Sequence, residues 1–158
     1  MSVTNPDHSG GMRLLTLATV GELPTRPHAR VDASARLAHV VDQMKAKGRG
    51  CVLVEEDGAL VGIFTERDLV GRVDHGDRAW IDVIVKDVMT PMPMVSRSGD
   101  SLAEAMRRMV EGKRRHLPIV DDHGKVKGLI SVRDILAFVA SRFPEEMMNL
   151  PPEPSHES

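Results

Sequence analysis

The sequence predicts a mixed α/β (α+β) domain made of two copies of a helix–strand–strand–helix unit, with small sheets packed face to face and helices outside. Three observations lead there. The phrase "GIFTERD" at Gly62–Asp68 returns 66 residues later as "GLISVRD" at Gly128–Asp134, with the same glycine, hydroxyl, arginine and aspartate. Each phrase follows a short apolar run and an acidic turn containing a glycine. Each run in turn follows a segment whose apolar residues recur at helical spacing. A unit of this size buries too little surface alone, so two sheet faces closed against each other are the stable solution.

Residues 1–15, whose first dozen are rich in Gly, Ser and Asn, are expected to form a disordered arm. The first unit spans 16–76. There "ASARLAHVVDQMKAKG" sets Leu37, Val40, Val41 and Met44 on one helical face, with Ser34 as N-cap and Gly48 as the stop. "CVLV" at Cys51–Val54 and the run Leu60–Phe64 read as strands, joined by "EEDG", whose glycine supplies positive φ.

The second unit, 77–142, opens with a joining segment whose centre, "IDVIVKDVM", suits a short linking helix. Leu102, Ala105, Met106, Met109 and Val110 then form an apolar helical face, capped by Asp100 or Ser101 and ended by Gly112. "LPIV" at Leu117–Val120 and the run Val126–Ile130 follow as strands around "DDHG", before a last helix. Leu37 and Leu102 are 65 residues apart, as are Met44 and Met109, whereas Val54 and Val120, like Gly62 and Gly128, are 66 apart. One extra residue is therefore expected in the "EGKRRH" loop, where an insertion costs little. The proline-rich, acidic residues 143–158 are expected to be a mobile tail.

Bulk properties narrow the function. Apolar residues are 41% of the chain and aromatics only Trp80 and three phenylalanines, so the core must be aliphatic and methionine. A net charge of −2 gives no basic field for nucleic acid or anionic membrane, and neither is expected as a partner. Cys51 is the single cysteine, which excludes an internal disulfide framework and a thiolate cluster. It opens an apolar strand and reads as a buried, inert thiol. The histidines lack HxxxH or HxH spacing, so no metal site is expected. No GxSxG, P-loop or HExxH pattern suggests an enzyme. Without a secretion-like leader or a long apolar run, a soluble cytoplasmic protein is expected.

The repeated phrase admits two chemistries. Thr65-x-x-Asp68 and Ser131-x-x-Asp134 each resemble a capping box, and taken singly each is first of all a helix cap. The same geometry suits a nucleotide. Helix N-terminal N–H groups and the hydroxyl favour a phosphate, while an aspartate accepts hydrogen bonds from a vicinal diol. Arg67 and Arg133 precede the aspartates and are placed to add charge toward phosphates.

These residues resemble the cystathionine-β-synthase (CBS) domain pair, or Bateman module. The likeness covers about residues 16 to 142 and rests on "VKDVMT" at Val85–Thr90, "RRHLPIVDD" at Arg114–Asp122 and "GLISVRDIL" at Gly128–Leu136. In the first copy "VGELPTRP" stands where the family often has V-x-D-V-M-T. The resemblance implies two β-α-β-β-α repeats related by a pseudo-two-fold axis, binding adenosine ligands between them. AMP, ADP or ATP is expected, with or without Mg²⁺, and S-adenosylmethionine is the alternative. It implies one cleft with Thr65, Arg67 and Asp68 beside Arg30, Val31, Cys51 and Val52. The other has Ser131, Arg133 and Asp134 beside Met94, Val95, His116, Leu117 and Pro118. A homodimer and a regulated partner protein complete the expectation, with a ligand-independent scaffold as its rival.

Overall fold

The computed structural model describes residues 9–25, 28–76, 78–91 and 93–142; residues 1–8 of the expected arm and the tail 143–158 lie outside them. Helix α1 spans Ser9–Leu17, so residues 9–15 are helical and not part of a disordered arm. Leu14 and Leu15 pack on the core of the second repeat, a partner that local composition cannot reveal.

The first repeat runs β1 (Ala29–Asp32), α2 (Leu37–Lys47), β2 (Cys51–Glu56), β3 (Ala59–Thr65) and α3 (Glu66–Arg72). The joiner holds a 3-10 turn at Arg78–Asp82 and one α-turn, α4 (Val85–Val88), in place of the single linking helix expected. Trp80 stacks on His75 with ring centroids 5.6 Å apart and covers the first core. The second repeat contains β4 (Thr90–Pro91), α5 (Leu102–Glu111), β5 (His116–Val120), β6 (Val126–Ser131) and α6 (Val132–Arg142).

Strands β1 to β4 form one sheet in that order, with β1 and β2 parallel and the other pairs antiparallel; β5 and β6 form the second sheet. Side chains alternate along β2. Val52 and Val54 enter the core beneath α2, while Cys51 and Leu53 join Ile63, Val126 and Leu129 between the two sheets. This is the face-to-face closure the sequence requires.

The second repeat's opening strand is reduced to one parallel bridge, Ser96 to Ile119. Ser96 N–H donates to the Pro118 carbonyl and Val120 N–H to the Ser96 carbonyl. Pro118 stands where the first repeat has Leu53, and a proline has no N–H with which to carry the ladder back toward Met94.

Each repeat completes the other's core. Ala18, Val20 and Leu23, which lead into the first repeat, lie in the second core with Leu102, Met109 and Ile135. Val85 and Met89, which lead into the second repeat, lie in the first core with Leu37, Val40 and Phe64. The backbone bonds match pairwise: Leu102 N–H to the Ala18 carbonyl corresponds to Leu37 N–H to the Val83 carbonyl. The glycine of the repeated phrase serves this crossing. A Cβ on Gly62 would collide with the Met89 side chain, and one on Gly128 would sit 3.3 Å from Thr25 Cγ2.

Two sequence expectations need correction. Ser34 does not cap α2: its hydroxyl donates to Asp32 Oδ1 at 2.5 Å, and the N-cap residue is Arg36. Gly48 does end that helix in the left-handed region (φ 58°), and Ser101 caps α5 by accepting from Glu104 N–H. Nor does the extra residue lie in the "EGKRRH" loop. Lys113 (φ 49°) takes the left-handed position of Gly48, and Arg114 N–H to Met109 repeats Arg49 N–H to Met44. The 65-residue offset thus holds into β5, where the bulge at Ile119/Val120 repeats that at Val54/Glu55. The partners across those bulges, Leu60 and Val126, are already 66 apart, so the insertion is in the β5–β6 hairpin. Val54 therefore corresponds to Ile119, and its match to Val120 was an accident of similar residues.

Candidate functional site

Both hydroxyl–aspartate turns are formed alike. At the start of α3, Thr65 N–H and Thr65 Oγ1–H donate to Asp68 Oδ2 at 2.9 and 2.8 Å, while Asp68 N–H donates to Thr65 Oγ1 at 3.2 Å. At the start of α6, Ser131 N–H and Oγ–H donate to Asp134 Oδ2 at 2.9 and 2.7 Å, and Asp134 N–H donates to Ser131 Oγ at 3.3 Å. Each is a closed capping box with aspartate in place of the usual glutamate.

Their surroundings differ. Asp68 is only 4% exposed, with Arg72 Nε 3.4 Å from its Oδ1. Asp134 is half-buried and opens onto a crevice of about 30 Å³ lined by His28, Arg49, Cys51, His116, Leu129 and Ser131. A larger cavity of about 190 Å³ adjoins it, sharing His116. Its wall is apolar at Ile63, Pro93, Met94 and Leu117 and cationic at Arg108 and Arg114. Thr90 Oγ1 lines it too, buried and without a hydrogen-bond partner among the described residues. Such an orphan hydroxyl is costly unless something completes its bond.

The structure regroups the expected residues. Cys51, read with Thr65 and Asp68, lies in the crevice of Ser131 and Asp134. Met94 and Leu117, read with that second turn, line the larger cavity together with Ile63 of β3. His116 belongs to both. The cause is the crossing of strands at the centre: β2 and β5 begin at equivalent positions, Cys51 and His116, so each abuts the other repeat. Arg30 is engaged with Glu55 at 3.1 Å, and Val31, Val52, Val95, Pro118, Arg67 and Arg133 line neither cavity. Reading the sequence alone did not single out Thr90, Ile63, Arg49 or Arg108. Arg49 was legible in principle, because it occupies the same place after its helix as Arg114.

Burial and a mixture of charges set the electrostatics of this junction. Burial pushes the His116 imidazole below its ordinary pKa, reinforced by Arg115 and Arg49 and opposed by Asp134 and Glu66. Burial likewise raises the Cys51 thiol to about 11, against the pull of Arg49. Arg108 is held by its Nη1 on Asp100 Oδ2 and the Val95 carbonyl at 2.6 and 2.8 Å, and by its Nε on Glu104 at 2.9 Å. Burial opposes the ionisation of Asp100, but hydrogen bonds from Arg97 N–H and the Ser96 hydroxyl, with the Arg108 charge, keep its pKa lowered.

Comparison with known proteins agrees with this architecture. The family model for the CBS domain matches twice, over residues 20–75 and 85–141. An uncharacterized protein of Methanopyrus kandleri, MK0525, is 32% identical over 133 residues, covering 82% of this chain and 68% of that protein. Inosine-5'-monophosphate dehydrogenase of Bacillus subtilis is 39% identical over 98 residues, but the match spans 61% of this chain and 19% of the enzyme. Among solved structures, a protein with CBS domains from Burkholderia ambifaria superposes with a TM-score of 0.68 at 30% identity, over 82% of this chain and 92% of that one. CBSX2 of Arabidopsis thaliana, solved in complex with AMP, has a TM-score of 0.68 at 26% identity, covering 78% and 97%. With both repeats matched across most of its length, this chain belongs to the CBS-domain family.

Proposed function

We propose that this protein is a non-catalytic regulatory module that binds an adenine nucleotide between its repeats and passes the occupancy on to a partner protein. The observation that carries the reading is the pair of adjoining cavities at the repeat junction. One is a base-sized apolar slot with an orphan hydroxyl, and the other is a crevice with Ser131 and Asp134; both are rimmed by arginine. A phosphate suits Arg49 and Arg114, and the same cations oppose the sulfonium of S-adenosylmethionine. The AMP complex of CBSX2 supports the ligand class. The crevice is small, so nucleotide entry must part the apolar contact of Cys51, Leu53 and Ile63 with Val126 and Leu129. That movement is the signal a partner reads.

Self-association belongs to the same proposal. Val70 on α3 and Leu136 on α6 are equivalent, exposed apolar residues on the outer helices, and a homodimer would cover them. No helix among the described residues is long and apolar enough to cross a membrane, and a buried free thiol suits the cytoplasm. The scaffold reading has one observation in its favour, that both aspartates already serve as caps.

Titration calorimetry with AMP, ADP, ATP and S-adenosylmethionine, with and without Mg²⁺, decides between them. Nucleotide binding is expected at micromolar to sub-millimolar affinity. Absence of heat for every adenosine ligand at millimolar concentration, from folded protein, leaves the scaffold.

A further inference from the structure

The opening segments of the two repeats are fastened by different means. In the first, β1 pairs with β2 from Ala29 to Asp32. In the second, the bridge of Ser96 to Ile119 stands in for that ladder, and side chains supply the rest. Ser96 is fully buried; its hydroxyl donates to Asp100 Oδ2 at 2.8 Å, and Arg97 N–H donates to the same oxygen at 2.9 Å. Arg108 of α5 joins them. Its Nη1 donates to Asp100 Oδ2 at 2.6 Å and to the Val95 carbonyl at 2.8 Å, and its Nε donates to Glu104 Oε1 at 2.9 Å. A planar guanidinium held by three acceptors has little freedom left. Val31, Ala35 and Gln43 stand 65 residues earlier, in the places of Ser96, Asp100 and Arg108, so the first repeat lacks this network.

The braced residues border the larger cavity. Met94, next to the Val95 carbonyl, forms part of its wall together with Gly112 and Arg108 itself. The Met94 sulfur lies over Gly112, where a Cβ would come within 3.1 Å of it. The bond from Arg108 to the Val95 carbonyl therefore ties the backbone beside Met94 to α5. We infer that Arg108 is a positioning residue: braced by Asp100, it takes the place of the missing strand and holds the Met94 wall at the width the ligand's base requires. This role rests on the proposed nucleotide binding. A binding site keeps its geometry to within about 0.5 Å only where its walls are locked by neighbours, and here the lock is a side chain instead of a ladder.

Two measurements on the full chain test it. The first is amide hydrogen exchange without ligand. The Ser96 and Val120 amides are bonded across the bridge, and Arg108→Gln, which copies the first repeat, should speed their exchange about tenfold or more. Amides of the β1–β2 ladder should keep their rates. The second is calorimetry of AMP. Arg108→Gln should weaken binding about tenfold, and Arg108→Lys should weaken it as much, because an ammonium cannot span the three acceptors. Asp100→Ala should weaken it too although the arginine is kept, and Asp100→Asn serves if the alanine variant fails to fold. Unchanged exchange at Ser96 and Val120 would overturn the brace whether or not a ligand binds. Wild-type affinity in Arg108→Lys, or affinity retained or raised in Asp100→Ala, would assign Arg108 a direct charge contact and overturn the positioning role while leaving nucleotide binding intact. Wild type that binds no adenine nucleotide would remove the proposed function and the positioning role with it, whereas exchange would still report on the brace.

Discussion

The two repeats carry the same phrase, yet the first uses it to close a surface and the second to border a crevice. In the first, Asp68 is sealed beneath Arg72 at the end of a four-stranded sheet. In the second, Asp134 stands at a crevice beside a two-stranded sheet whose opening strand has shrunk to a bridge. Three substitutions between equivalent positions account for the divergence: Arg72 against Phe138, Glu66 against Val132 and Leu53 against Pro118. The last withholds an N–H from the ladder and leaves Met94 42% exposed at the larger cavity. A duplicated motif thus keeps its local geometry while its neighbours change its surroundings.

The largest effect should come from breaking the symmetry of the cores. Leu37→Ala and Leu102→Ala remove equivalent, fully buried side chains and should each cost about 2–5 kcal/mol. Because each core contains the lead-in of the other repeat, urea unfolding followed by circular dichroism should remain a single transition for both variants. Two separated transitions would mean that the repeats are independent units.

A smaller difference separates the turns themselves. Asp68→Ala removes a buried carboxylate and takes the acceptor from Arg72 as well as from Thr65, and should cost about 1–3 kcal/mol, against about 1 kcal/mol for the cap lost in Asp134→Ala. Equal losses in denaturant midpoint would dissolve the distinction between sealed and open turns. Thr90→Val tests the larger cavity. Removing an unpaired buried hydroxyl should raise the stability of the ligand-free protein by about 1 kcal/mol, read by thermal melting, while weakening nucleotide affinity. A loss of stability without ligand would show that Thr90 is already satisfied.

The gentlest test uses pH, through the equivalent pair Cys51 and His116. The folded pKa of His116 lies below its ordinary value near 6.5. Its neutral form therefore stabilises the fold fully above that value, and the contribution is lost as pH falls through the folded pKa. Cys51 works in the opposite sense: its stabilisation is full below 9.0 and lost as pH rises through about 11. His116→Asn should flatten the acid side of the stability profile only. A bound phosphate would favour the imidazolium, so AMP affinity should tighten as pH drops from 7.5 toward 6 and release should return a proton.

Much of this was legible in the chain. Helical spacing located α2 and α5, the "EEDG" and "DDHG" turns located the hairpins, and the doubled hydroxyl–aspartate phrase located both caps. The offset was legible too, but counting misplaced the inserted residue, because Val120 resembles Val54 and only hydrogen-bond register separates likeness from equivalence. The site was half legible. Cys51, Met94, His116, Leu117, Ser131 and Asp134 were named and line the two cavities, whereas Thr65 and Asp68 line neither; sequence order cannot show that β2 and β5 begin against the opposite repeat.

What the sequence determined by itself was periodic and local: two amphipathic helices, two hairpins and two capping boxes, all set by interactions within a few residues. What tertiary structure alone decided was the company each element keeps. The helical fate of residues 9–15, the crossing of the lead-in segments, the orphaned Thr90 and the Arg72 bond to the Val88 and Met89 carbonyls all depend on surfaces distant in the chain. Burial is a property of the assembled neighbours, so similar phrases acquire different surroundings once the chain has closed around them.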